Sequence, residues 1–181
     1  NLPKLDEEYA LDKPISLDET NGSLTHAGVD DERVEAWEWI CGGGACYNNL
    51  SWDFTPDDPT GKAGRPVREQ LNVLRDFVST LNYIDMKLAK EIITSPLPPD
   101  VFARALVQPG KVYWIYVHHS KHRTYGSFIT GYEAQKGRRG DSLELEIPAG
   151  TYRVQWIRPR DGKLLREDRV NHDREKLRLA S

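Results

Sequence analysis

The chain has 181 residues, 38% hydrophobic and 29% charged, enough for one large domain or two small ones. A net charge of −3 argues against a nucleic-acid partner, because phosphate binding needs a basic excess. Apolar runs stay short of the roughly 18 residues of a membrane span, so no membrane span is expected, and no signal-peptide pattern marks the start.

In chain order, Pro14 to Leu17 reads as a short apolar strand that ends in the acidic pair Asp18-Glu19, with Asn21-Gly22 turning just beyond. Asp30-Asp31-Glu32 then places negative charge where a helix N-terminus favours it. Val34, Trp37 and Ile40 follow at helical spacing, with Glu35 and Glu38 assigned to the opposite face. Gly42-Gly43-Gly44 stops the helix, and Ala45 to Asn49 is a second short strand. Residues 51–66 form a polar loop long enough to suggest function. Pro66 suits the first turn of a helix. Val67, Leu71, Leu74, Val78 and Leu81 continue that helix as a single apolar stripe. Strand, helix, strand, helix is the grammar of a parallel α/β unit.

After Asn82 the period changes to two. Val112 to Val117 reads as a strand buried on both sides. Leu143, Leu145 and Ile147 alternate with polar residues, as do Tyr152, Val154 and Trp156. Pro148-Ala149-Gly150 and Asp161-Gly162 supply the turns, which predicts an antiparallel β-sandwich over residues 83–181. Residues 1–82 hold only two βα units, too few to close a (β/α)8 barrel of about 250 residues. Either a small α/β layer packs on the sandwich, or the chain is the tail of a larger enzyme. Its first residue, Asn, is consistent with a processing or cloning boundary or with a piece of something longer.

Four short features read as structural. Cys41 and Cys46 are too few for a disulfide framework or a four-ligand zinc site and are expected to be free and mostly buried. His118, His119 and His122 lack carboxylate or thiol partners at metal-ligand spacing and are assigned to a segment leaving a strand for a loop. Arg139-Gly140-Asp141 reads as a charged hairpin tip. The three-glycine run has no phosphate-loop Lys-Ser/Thr after it.

Taken together, "KPISLDET", "RVEAWEWICGGGACYNNLSWDFT", "REQLNVLRDFVSTLNYIDMK", "ALVQPGKVYWIYVHHS" and "IPAGTYRVQWIRPRDGK" resemble, over nearly the whole chain, the C-terminal part of the apiosidase-like glycoside hydrolases. The resemblance implies an α/β plus all-β chain. Residues 1–82 would be the last βα units of a (β/α)8 barrel, and residues 83–181 a β-sandwich often labelled collagen-binding. It implies that residues 13–20 are the seventh barrel strand and that Glu19 holds the nucleophile position. The acid/base residue belongs to a fourth strand that this sequence lacks, so the chain alone is expected to be inactive. A retaining glycosidase needs both carboxylates, about 5–5.5 Å apart. Asp18 falls on the other side of the strand and reads as structural. Tyr47, Asn48, Asn49 and Trp52, after the eighth strand, and His26, after the seventh, are the candidate sugar contacts. No metal and no cofactor is implied. The partners implied are a carbohydrate substrate and a second polypeptide completing the barrel, in an extracellular or periplasmic setting. The competing reading is a non-catalytic module that binds carbohydrate or a matrix protein.

Overall fold

The computed structural model describes residues 3–18, 28–48, 56–59, 61–62, 64–125, 128–137, 142–173 and 175–180. Strand outweighs helix. The order begins α1 (Pro3–Tyr9), β1 (Ser16–Leu17), α2 (Val29–Cys41), β2 (Cys46–Tyr47) and α3 (Arg65–Val78). After a 3-10 turn at Tyr83–Asp85 come β3 (Lys87–Leu88), β4 (Val101–Gln108), β5 (Val112–Tyr125) and β6 (Phe128–Ala134). The chain ends with β7 (Ser142–Leu145), β8 (Gly150–Arg158), β9 (Lys163–His172) and β10 (Leu177–Ala180).

β1 and β2 pair in parallel, Ser16 opposite Cys46 and Leu17 opposite Tyr47, with α2 as the crossover. This is the alternating unit expected from the sequence. α2 starts at Gly28, whose amide donates to the Asp31 carboxylate at 2.8 Å, and it ends at Gly42. Its amphipathic assignment needs correction. Glu32, Glu35 and Glu38 are buried along with Val34, Trp37 and Trp39, because a sheet from the second half covers the face taken as solvated.

That sheet has the order β3-β4-β5-β6, antiparallel throughout. β5 runs far beyond the apolar stretch legible in the sequence and takes in all three histidines, which therefore lie on a strand and not in a loop. Its two faces serve different layers, as the two-residue strand period requires. Trp114, Tyr116 and His118 face the helices, where Trp114 and Tyr116 join Trp37, Ala36, Cys41 and Leu74 in one apolar cluster. Tyr113, Ile115 and Val117 face the other way, onto Leu143, Leu145, Ile147 and Leu177. The molecule thus stacks helices, a four-stranded sheet and a second β layer.

In the second layer β7 pairs with β10, not with β8 as the Pro148-Ala149-Gly150 turn had suggested. Residues 92–94 flank β7 on its other edge, through Thr94 N–H to Glu144 O at 2.9 Å and Glu146 N–H to Ile92 O at 2.8 Å. β8 and β9 form a separate ribbon, turned at Asp161-Gly162 as expected and bulged at Trp156–Ile157. Both cysteines are free, Cys41 buried and Cys46 exposed. Residues 138–141, the tripeptide included, lie outside the described residues.

Candidate functional site

The strand pair has two unlike faces. Ile15 and Leu17 are buried with Leu5, Val34 and Trp39 against α2. Ser16, Asp18, Cys46 and Asn48 are exposed, so the opposite face is polar and open. Asp18 lies on this open face, where its carboxylate accepts a hydrogen bond from the Ser16 hydroxyl. The sequence placed it in a structural role, yet it is outside the core. Asn48 sits one step past the Leu17–Tyr47 pair, its backbone amide donating to Leu17 O at 2.7 Å.

Tyr47 points the other way. Its ring packs among the residues around α2, and its hydroxyl donates to Glu35 Oε2 at 3.0 Å. The hydroxyl required for sugar contact is therefore already committed to the helix. Glu19, His26, Asn49 and Trp52 lie outside the described residues, so among the candidates only Tyr47 and Asn48 have a place in the structure, on opposite faces of one strand.

A groove of about 470 Å³ opens near the N-terminal ends of α2 and α3. Asp30, Arg33, Glu69, Lys136 and Arg160 line it. Its charges largely satisfy one another: Arg33 bonds Asp30 at 2.6 Å, and Lys136 reaches the same carboxylate at 3.3 Å. Among the described residues its lining contains no aromatic ring on which a sugar could stack.

The densest polar constellation was not legible in the sequence, and it is sealed. Glu38, on α2, accepts from Arg104 Nε at 3.1 Å and lies 3.0 Å from His118 Nε2. The other ring nitrogen of His118 is 2.9 Å from the Ser120 hydroxyl. Arg104 also pairs with Asp6 of α1, which bonds Lys90 at 2.9 Å. Burial pushes the Glu38 carboxyl up, but the His118 bond and the Arg104 charge outweigh it and hold the group below the usual carboxylate range. Asp6 is lowered in the same way, burial opposing and Lys90 and Arg104 prevailing.

Serine, histidine and glutamate in sequence of contact is the arrangement of an activated nucleophile. Here Ser120 is 0% exposed and the set lies between α2 and the sheet, so no substrate reaches it. Among the described residues no group of three or more His, Cys, Asp or Glu is arranged to hold a metal ion. No helix among them is long and apolar enough to cross a membrane.

Compared with known proteins, the chain matches no family model, no curated protein and no solved structure.

Proposed function

We propose that this chain is part of a retaining glycoside hydrolase acting on polysaccharide side chains. It would contribute the nucleophile-equivalent strand, β1 leading into Glu19, together with a C-terminal β-sandwich. One observation carries the reading: a parallel β1-α2-β2 unit followed by α3, backed by apolar packing on its helix side and polar on its open side. Parallel strands are usually buried on both faces within larger sheets. Polar, uncovered residues at the C-terminal strand ends suit the barrel face where sites are built, the remaining strands coming from other polypeptide.

In that setting Glu19 attacks the anomeric carbon. The leaving oxygen takes its proton from a carboxyl on the polypeptide that completes the barrel, and water then hydrolyses the glycosyl-enzyme. Asn48, at the exposed end of β2, would donate to and accept from substrate hydroxyls. The purified chain is expected to show no turnover of aryl glycosides, and robust turnover would overturn the incomplete-barrel reading. In the completed enzyme, Glu19→Gln should lower kcat by orders of magnitude. A mild effect there would end the nucleophile assignment.

The second reading, a non-catalytic carbohydrate- or matrix-binding module, is favoured by the β8–β9 ribbon, which leaves Leu164 and Leu165 exposed. Trp114 and Tyr116 cannot serve it as a platform, since both are buried against the helices. Binding of the chain on a glycan array or to collagen, lost when Leu164 and Leu165 become serine, is the result that would favour this reading.

A further inference from the structure

Glu38 is the point where three layers of contacts converge. From α1 comes Asp6, bridged to it by Arg104 of β4. From β5 come His118, with Ser120 behind it, and Tyr116, whose buried ring feels the Glu38 charge. From β6 comes Tyr132, whose buried hydroxyl feels the Glu38 charge and whose ring stacks on His122. On its own helix lie Cys41, buried, and Glu35, which takes the Tyr47 hydroxyl. Lys90 is the outermost member, held on Asp6.

We propose that this Glu38-centred ionic chain is an acid-released latch between the helical layer and the four-stranded sheet. The argument is one of donors and acceptors. An ionised carboxylate only accepts, so Arg104 Nε and His118 Nε2 both donate to Glu38. A protonated Glu38 still accepts through one oxygen, but it loses its charge and turns an O–H toward groups that are themselves donating. Arg104 would then keep only Asp6 as an anionic partner. A buried charge that loses its partner is strongly destabilising.

The sign follows from the depressed carboxyls. Glu38 and Asp6 contribute stability that is complete above the ordinary carboxylate range. That stability is lost as pH falls through their folded values, which lie below the ordinary carboxylate range. The second β layer keeps its own apolar cluster, Leu143, Leu145, Ile147 and Leu177, packed by Tyr113 and Tyr152 and bordered by the buried His172 on Ile147 O, with no carboxylate among them. In acid, α2 therefore parts from the sheet before the β layers part from each other. Because α2 backs β1 and β2, the strand pair loosens with it. The latch does not depend on the glycosidase reading.

The test uses the whole chain. Amide hydrogen exchange is compared at about pH 6 and about pH 3, corrected for intrinsic rates. α2 amides should lose protection at least about tenfold more than those of β7 and β10. In Glu38→Gln, α2 protection should be low already at the higher pH and change little between the two. Equal loss in α2 and β7–β10 of the native chain would overturn the latch, as would a Glu38→Gln chain whose α2 protection still depends on pH like the native one. If Glu38→Gln does not fold, the comparison within the native chain decides alone. Asp161→Asn is the control: its carboxyl is held near about 2 by Arg158 on an exposed turn, and its loss should leave α2 exchange unchanged.

Discussion

The junction between α2 and the sheet and the β8–β9 ribbon hold charges of the same kinds in opposite circumstances. At the junction Glu38 is 2% exposed, and its partner His118 is packed between the rings of Phe102, Tyr116 and Tyr132. On the ribbon Arg158 meets Asp161 at 2.5 Å, closer than any contact Glu38 makes with Arg104, yet both groups are open to water. Distance does not rank these pairs. Solvent does, since an exposed pair is screened and holds two flexible side chains, while a buried one cannot lose a partner without stranding a charge. The Arg166 pair with Asp168 at 2.6 Å falls on the ribbon's side of this divide.

Three substitutions probe the contrast. The largest effect is expected from Trp37→Ala, which removes a ring packed on Phe77, Trp114 and Tyr116 at centroid distances of 5.1, 6.0 and 5.7 Å. A loss of about 3–5 kcal/mol in urea unfolding is expected; a loss near zero would show that the junction does not carry the fold. Gly44→Ala comes second. Its new Cβ would collide with Trp39 Nε1, the donor of a 2.8 Å bond to Cys46 O. Either Trp39 shifts or the β2 entry does, at a cost of about 1–3 kcal/mol by the same assay. Smallest is Arg158→Ala, for which the melting temperature should not change measurably, because its Asp161 partner is solvated. A clear drop there would erase the contrast.

Much of the first half was legible because its signals are local. The acidic triplet Asp30-Asp31-Glu32 and the glycines at 42–44 bracket α2 with no help from tertiary structure. What covers α2 was not legible, since its burying partners Arg104, Trp114 and His118 arrive more than sixty residues later. Glutamates at helical spacing look solvated until such partners are known. The histidines failed for a related reason: His118 and Ser120 keep the period of β5 but break its apolar pattern, because their face meets a charged partner. β7 was matched to β8 on turn residues alone, whereas β10 supplies the real register. Of the candidate site, the sequence located Asn48 on an exposed strand end. It could not foresee that Tyr47, one residue earlier, turns its hydroxyl toward Glu35.

The Asp31 carboxylate has a consequence for how the chain assembles. It takes the Gly28 amide at the start of α2, the Ala134 amide at the end of β6, and the guanidinium of Arg123, which sits at the β5 bulge. A local helix start and a contact spanning about a hundred residues thus share one side chain. The short-range bond can form early, while the long-range ones wait for loop closure. In a mutational survey of folding rates, Asp31→Ala should therefore slow refolding and speed unfolding together, a split signature that substitutions of singly engaged caps do not give.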